Sequence, residues 1–235
     1  MNLKEVMSEL ESYGDKAIKN IFLKHEISEP LFGVRVQDMK KIVKKIKKDH
    51  QLSMDLFTTG NYDAQYLAGL IADEKQISEN DLQLGVEAAT NYSASQYPVA
   101  WVAAESNHGY KLGLEWIESD DELIATAGWC TLAALTSITP DAELDTDKFS
   151  SLLDRIENDI HTSQNRVRYN MNGFVIAVGY YIKSLTEKAQ QVASNIGKVH
   201  VTMGETACKV PLAKDYIQKG IDKGKIGKKR KMARC

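Results

Sequence analysis

The chain has 235 residues, of which 43% are hydrophobic and 26% charged, with a formal net charge of −2. This composition is typical of a soluble globular protein, and no run of about 18 apolar residues is present, so no transmembrane helix is expected. The acidic, amphipathic N-terminus does not resemble a secretory signal, which leaves a cytoplasmic protein as the expectation. Neither the three cysteines nor the five histidines have metal-ligand spacing, and phosphate-binding glycine loops are absent, so no metal or cofactor is expected.

Apolar residues recur at helical spacing along most of the chain, and period-2 strand alternation is scarce. The first such pattern begins at Leu3, and Pro30 and Gly33 interrupt the chain before a basic helix. Polar residues typical of helix starts occur at Ser78 and Asp145. After the first helical region, further helices are predicted over residues 37–48, 53–59, 62–73, 79–92, 98–106, 110–118, 121–137, 147–161, 163–183, 185–198 and 211–223.

About a dozen helices joined by short polar turns predict an all-α fold in which helix pairs stack into an α-solenoid. A compact, irregular helical bundle fits the same pattern, because degenerate repeats of about 40 residues leave no crisp sequence repeat. Residues 197–211 are predicted to form a loop or short extended piece, and the basic tail GKIGKKRKMARC is expected to be flexible until bound. We assign residues 1–208 to a helical repeat domain, and residues 209–235 to a C-terminal helix and tail of the same domain.

Charge is strongly segregated along the chain. Residues 1–48 carry 11 Lys/Arg against 7 Asp/Glu, residues 49–208 carry 9 against 23, and residues 209–235 carry 10 against 2. Such segregation favours a basic surface that meets an anionic partner such as DNA. Basic and acidic segments that neutralise each other in the fold are the alternative, and both interpretations stay open.

The predicted helix over residues 163–183 contains no carboxylate but carries two arginines, several asparagines and an aromatic ring. At helical spacing, Arg166, Asn170 and Phe174 share one side, and Arg168 lies nearby in sequence. This mixture suits a polyanion with stackable bases, while an ordinary solvated helix face is the simpler alternative. We therefore predict DNA contacts from Arg166, Arg168, Asn170 and Phe174.

Two basic clusters are further candidates for contacts with phosphates. The first cluster comprises Arg35, Lys40, Lys41, Lys44, Lys45, Lys47 and Lys48. The second comprises Lys228, Lys229, Arg230, Lys231 and Arg234. A solvated helix face is the alternative for the first cluster, and a short localisation signal is the alternative for the second.

Three motifs, taken in order along the chain, share a family resemblance. The run Phe32–Arg35, followed by Asp38, resembles a phenylalanine/tyrosine–glycine–valine–arginine–x–x–aspartate signature. Residues 61–68 resemble the next conserved helix of the same family, and residues 116–121 resemble its tryptophan–isoleucine–x–serine–aspartate turn. The chain thus resembles the DNA alkylation repair proteins, the AlkD-like HEAT-repeat family, and its residues 197–235 resemble the C-terminus of one branch.

The resemblance implies a right-handed superhelix of HEAT-like repeats whose concave basic face holds duplex DNA. Active members of that family release N3- or N7-alkylated purines. In those enzymes two tryptophans and an aspartate–arginine pair surround the lesion nucleotide, and the carboxylate stabilises the oxocarbenium-like sugar as the glycosidic bond breaks.

When these positions are carried over to this chain, the aspartate–arginine pair of the base-excision site is missing. The family arginine falls on Thr126, and the helix that should supply the aspartate has only Glu105 as a carboxylate, which makes Glu105 the candidate catalytic acid. Trp101 stands in for one tryptophan and Phe174 for the other, while Trp116 and Trp129 are predicted to pack in the core. We therefore expect a protein that binds duplex, damaged or branched DNA with weak or no base excision.

Two other functions remain consistent with the sequence. One is a monofunctional alkylpurine DNA glycosylase that uses Glu105, and the other is a protein-binding solenoid, which the acidic middle segment favours. For the leading hypothesis we expect a monomer whose partner is DNA and which does not bind membranes.

Overall fold

The computed structural model describes residues 1–234, which fold into helices and turns without a β-strand. The helices are α1 (Leu3–Ser12), α2 (Lys16–Lys24), α3 (Val36–Ile46), α4 (His50–Phe57), α5 (Tyr62–Ile71), α6 (Glu79–Glu87), α7 (Tyr92–Ala94), α8 (Ala100–Glu105), α9 (Gly109–Trp116), α10 (Glu122–Ile138), α11 (Thr146–Asp159), α12 (Asn165–Tyr181), α13 (Thr186–Ile196) and α14 (Ala213–Asp222). Each predicted helix is present, with shifted ends. Within the described residues, no helix is both long and apolar enough to cross a membrane. Cys235, the last of the three cysteines, lies outside this range.

The helices form two layers. In the inner layer α3, α5, α8, α10, α12 and α14 follow one another, each packed against the next, with α5 meeting the turn that runs into α8. In the outer layer α1, α4, α6, α9, α11 and α13 each pair with an inner helix or with that turn. This repeated pairing of an outer with an inner helix is the predicted α-solenoid. We call the surface of the inner layer that is turned away from the outer layer the inner face.

Two predicted helix starts are confirmed by their caps. The Ser78 hydroxyl accepts the N–H of Asp81 at 3.1 Å, and the Asp81 carboxylate accepts the N–H of Ser78 at 2.9 Å, which is a complete capping box. At the start of α11, the Asp145 carboxylate accepts the N–H of Lys148 at 2.9 Å. Both starts follow from local sequence, because a cap satisfies backbone donors within one turn.

A π-helical turn, Ser95–Val99, joins α7 to α8 and carries the helix through Pro98. Proline lacks an N–H, and the wider π turn accommodates the missing hydrogen bond, so this helix begins earlier than predicted. Gly69 of α5 lies against Pro98 so closely that a Cβ on it would come within 2.4 Å of the proline Cβ. The turn leaves Tyr97 39% exposed.

Two of the signature motifs meet at Asp63, which is fully buried. Its carboxylate accepts the N–H groups of Phe32 at 2.6 Å, Gly33 at 3.0 Å and Val34 at 2.8 Å. Burial raises the pKa of the Asp63 carboxyl in spite of these three donors. Gly33 has a φ of +82°, and a Cβ there would lie 2.5 Å from the nitrogen of Lys19. The motif residues therefore fix the turn before α3 to the start of α5.

The core between the layers is rich in aromatic rings. Trp116 and Trp129 are 3% and 0% exposed, which confirms their predicted core positions. Trp129 meets Phe174 edge-on at 5.3 Å between ring centres, and Phe174 stacks on Phe149 at 5.7 Å. The inner layer is therefore held to the outer layer by an aromatic stack that includes α12.

Candidate nucleic-acid interface

The arginine that opens α12 is buried. Arg166 is 5% exposed, and its Nη2 atom donates to Glu26 Oε2 at 2.8 Å. Its guanidinium lies 3.6 Å from the centre of the Tyr92 ring, and its Nη1 atom lies 3.6 Å from the sulfur of Met203. The prediction that Arg166 is exposed to DNA is wrong, because the side chain joins α12 to the residues after α2 and to the loop before α14.

The other residues of the predicted α12 face are either buried or lie on a different side of the helix. Asn170 is 6% exposed, with its Nδ2 atom donating to the carbonyl of Arg166 at 2.8 Å and its Oδ1 atom accepting from Cys130 Sγ at 2.9 Å. Phe174 is 0% exposed. Arg168 is half-buried, and two residues on from Arg166 it lies about 200° round the helix. The prediction of one exposed polar side is wrong, because helical spacing groups side chains without showing what packs against them.

Aromatic side chains form a patch where α5 meets the turn that runs into α8. The centre of the Trp101 ring lies 5.6 Å from that of Tyr66 and 5.5 Å from that of Tyr97. Because Trp101 is only 7% exposed, Tyr97 presents the more accessible ring of the pair. Burial raises the pKa of Tyr97 to about 12, and the hydroxyl would be protonated at neutral pH even with its ordinary pKa of about 10. Tyr97 was not predicted, because its orientation depends on the π turn.

The cations before and along α3 lie on the surface but differ in their partners. Four of the predicted ones form ion pairs: Arg35 with Asp15 (2.9 Å), Lys41 with Asp38 (2.6 Å), Lys45 with Glu9 (2.6 Å) and Lys48 with Glu74. Exposed pairs contribute only about 0–1 kcal/mol, so an approaching phosphate can compete for these cations. The other three predicted cations, Lys40, Lys44 and Lys47, are exposed and form no ion pair within residues 1–234.

The C-terminal tail is docked, so the prediction that it is flexible is wrong. Three of its donors reach carbonyls at the ends of inner helices: Gly227 N to Tyr180 O (2.9 Å), Arg230 N to Ser137 O (2.7 Å) and Lys229 Nζ to Thr136 O (2.7 Å). Lys229 also pairs with Asp141 at 2.7 Å, which turns this predicted DNA contact inwards. The last carbonyls of a helix lack partners inside the helix, so they are natural acceptors for such a tail.

Glu105, the predicted catalytic acid, is held by the end of the tail. Its Oε2 atom lies 2.6 Å from Arg234 Nη2 and 2.8 Å from Arg234 Nε. Its Oε1 atom accepts the N–H groups of Ala233 at 2.7 Å and of Arg234 at 3.1 Å. Both carboxylate oxygens are therefore occupied by the chain's own C-terminal residues.

Cations from opposite ends of the chain line one open cavity of about 650 Å³. Lys47 and Lys48 line it from the end of α3, and Lys231 and Arg234 line it from the tail. We use the name basic rim for the exposed cations that lie within three residues of Lys47 or Lys231 in the sequence and form no ion pair within residues 1–234: Lys44, Lys47, Lys228, Arg230 and Lys231. The fold therefore brings Lys231 of the tail to the cavity that Lys47 and Lys48 line. The prediction that Arg234 contacts DNA is wrong, because this side chain is 9% exposed and pairs with Glu105 and Glu74.

Residues 6–209 match the sequence profile of a family described as DNA alkylation repair enzyme. The chain belongs to this DNA alkylation repair family. An uncharacterized protein of Listeria monocytogenes, Lmo0209, is 32% identical over 223 residues, which cover 93% of this chain and 96% of the relative. A second uncharacterized protein, Lin0241 of Listeria innocua, is 31% identical over 217 residues, which cover 90% and 94%.

A solved structure resembles this family member over its whole length. It has a TM-score of 0.92 and 39% sequence identity, and the match covers 100% of both chains. That structure is described as a new family of proteins related to the HEAT-like repeat DNA glycosylases with affinity for branched DNA structures. The similarity confirms the predicted solenoid of HEAT-like repeats. The family profile ends at residue 209, so α14 and the tail lie beyond it.

The positions that the family resemblance assigns to base excision are buried or paired within this chain. Thr126, at the arginine position, and Phe174, at one tryptophan position, are both 0% exposed. Glu105 is bound to Arg234. Trp101 is 7% exposed, and the centre of its ring lies 5.5 Å from that of Tyr97.

Proposed function

We propose that this member of the DNA alkylation repair family binds duplex and branched DNA across its inner face and does not excise bases. The observation that carries the proposal is the meeting of Lys47 and Lys231, from opposite ends of the chain, at one cavity. Exposed lysine and arginine side chains bind phosphates regardless of base sequence, and binding gains from the release of counterions. The affinity for branched DNA described for the similar structure supports the same class of ligand.

The basic rim and the aromatic patch have complementary roles in this proposal. The rim cations form no ion pair with the protein, so a phosphate gains their full charge without displacing a carboxylate. The accessible ring of Tyr97 offers a surface for a base that is unstacked at a branch point, and stacking on an aromatic ring does not depend on base identity. Shape and backbone charge would therefore govern binding, more than base sequence.

We expect the double substitution Arg230→Gln/Lys231→Gln to weaken DNA binding. Losing two phosphate contacts should reduce the slope of log affinity against log salt concentration by about 2. Fluorescence anisotropy with duplex, nicked and four-way junction DNA, at several salt concentrations, measures both the affinity and the slope.

The matched control is Lys4→Gln/Lys148→Gln, which makes the same change in net charge on the outer helices α1 and α11. This control should bind like the unmodified protein. Equal weakening by both double substitutions would show that only total charge matters, and the proposed interface would be wrong. Absent or salt-independent binding by the unmodified protein would remove the proposal as a whole.

We expect no release of 3-methyladenine or 7-methylguanine from alkylated DNA above the level without protein. The carboxylate that would stabilise the sugar cation, Glu105, is already neutralised by Arg234, and a preorganised charge of this kind is commonly worth several kcal/mol of barrier. Chromatography of the released bases, at protein concentrations that saturate binding, is the measurement. Release that disappears in Glu105→Gln would contradict the expectation and favour the glycosylase alternative.

A further inference from the structure

Arg234 occupies a site built from two inner helices, and it is 9% exposed. Its guanidinium contacts two carboxylates and three carbonyls: Glu105 (2.6 Å), Glu74 (3.0 Å), Gly69 O (3.3 Å), Leu70 O (3.5 Å) and Ala72 O (3.3 Å). The three carbonyls lie at the C-terminal end of α5, where the helix dipole is negative and carbonyls lack partners within the helix. A planar guanidinium with five donors suits such a ring of oxygens better than an ammonium group does.

The tail reaches this site by crossing the inner helices in reverse order. Gly227 is bonded to the end of α12, and Arg230 to the end of α10. Ala233 is bonded to Glu105 at the end of α8, and Arg234 to the end of α5. The eight residues 227–234 therefore tie together the ends of four consecutive inner helices. They lie beyond the residues that match the family profile.

The tail also changes the sign of the charge at the cavity beside the basic rim. The cavity wall contains four cations, Lys47, Lys48, Lys231 and Arg234, and three carboxylates, Glu74, Glu105 and Glu143. Two of the four cations come from the tail, so without the tail the wall would hold two cations against three carboxylates. Glu105 would then be a partly buried carboxylate without a cation, which DNA phosphates would avoid.

We infer that residues 227–234 are an intramolecular ligand of the inner layer, anchored by Arg234, and that their docking creates the tail half of the basic rim. The role in DNA binding rests on the proposed function, while the docking does not. Arg234 is a positioning residue: it is shielded from solvent and acts by holding Lys228, Arg230 and Lys231 in place. Cations that are already ordered spare the entropy cost of immobilising a flexible tail when DNA binds.

The test compares Arg234→Gln with Lys231→Gln in the full-length chain, first without DNA. Amide hydrogen exchange by mass spectrometry reports on the tail, because the N–H groups of Arg230, Ala233 and Arg234 are all hydrogen-bonded. In Arg234→Gln these amides should exchange faster by about tenfold or more, since a hydrogen-bonded amide exchanges only after local opening. In Lys231→Gln, which leaves the anchor intact, their exchange should not change.

DNA binding by the same variants then tests the consequence. Arg234→Gln should lower affinity several-fold at 0.1 M salt although its side chain is buried. Lys231→Gln should reduce the salt slope by about 1 while its tail stays protected.

Three results would overturn parts of this scheme, and they can be told apart. Free-peptide exchange rates for the tail of the unmodified protein would refute the docking, whatever the DNA affinity. A released tail in Arg234→Gln with unchanged DNA affinity would refute the positioning role. A protected tail in a protein that binds no DNA would leave the docking standing and refute the proposed function.

Discussion

Replacing Asp63 by alanine is expected to lower the free energy of unfolding by about 3 to 5 kcal/mol. The substitution removes one buried carboxylate and leaves three backbone N–H groups, those of Phe32, Gly33 and Val34, without their acceptor. Each unsatisfied buried donor costs about 1 to 3 kcal/mol, and partial relaxation of the turn recovers some of this. Urea denaturation followed by circular dichroism is the measurement.

The matched control for Asp63→Ala is Asp147→Ala. Asp147 is exposed in the first turn of α11, and within residues 1–234 its side chain forms no hydrogen bond or ion pair. Only its interaction with the helix dipole is lost, so the cost should be about 0.3 to 1 kcal/mol. If both substitutions cost the same, Asp63 does not hold the signature motif, and the placement of α3 must have another cause.

Phe174→Ala is expected to cost about 3 to 5 kcal/mol of unfolding free energy. The ring is fully buried between Trp129 and Phe149, and its removal leaves a cavity in the aromatic stack that joins the two layers. The folded fraction of the variant should bind DNA with unchanged affinity. Thermal and urea denaturation give the stability, and anisotropy on the folded protein gives the affinity.

The neighbouring substitution Gly173→Ala is the control for Phe174→Ala. A Cβ on Gly173 meets no atom within 4 Å, and alanine favours a helix interior over glycine by about 1 kcal/mol. Gly173→Ala should therefore be neutral or slightly stabilising. Had the sequence-based placement of Phe174 on a DNA-facing side been right, Phe174→Ala would weaken DNA binding and barely change stability. That pattern would contradict the buried stack.

In the proposed interface, DNA binding does not require the residues that the family resemblance assigns to base excision. The resemblance assigns DNA binding and base excision to one concave face. In this chain the excision positions Thr126 and Phe174 are buried and Glu105 is bound to Arg234, while exposed cations remain along the rim. Under the proposal, the chain binds backbone phosphates although the carboxylate that the resemblance matches to base excision forms an ion pair with Arg234.

Much of the architecture was determined by local sequence. Helical periodicity predicted the helices, the polar residues at Ser78 and Asp145 predicted two of their starts, and core packing was predicted as the ordinary position for Trp116 and Trp129. These signals are readable because helix spacing and capping act over three to four residues. The motifs were identified by their resemblance to a known family and not by spacing, and their structural role at Asp63 was not foreseen.

Only the tertiary structure decided which polar side chains are paired within the protein and which are exposed to a ligand. Arg166 meets Glu26 from 140 residues away, and Arg234 meets Glu105 from 129 residues away. Both pairings depend on how distant helices pack together, and neither produces a periodic pattern in the sequence. The sequence therefore determined that cations and aromatic rings are present, while the packing of α12 and of the tail decided which of them are buried and which remain available to a ligand.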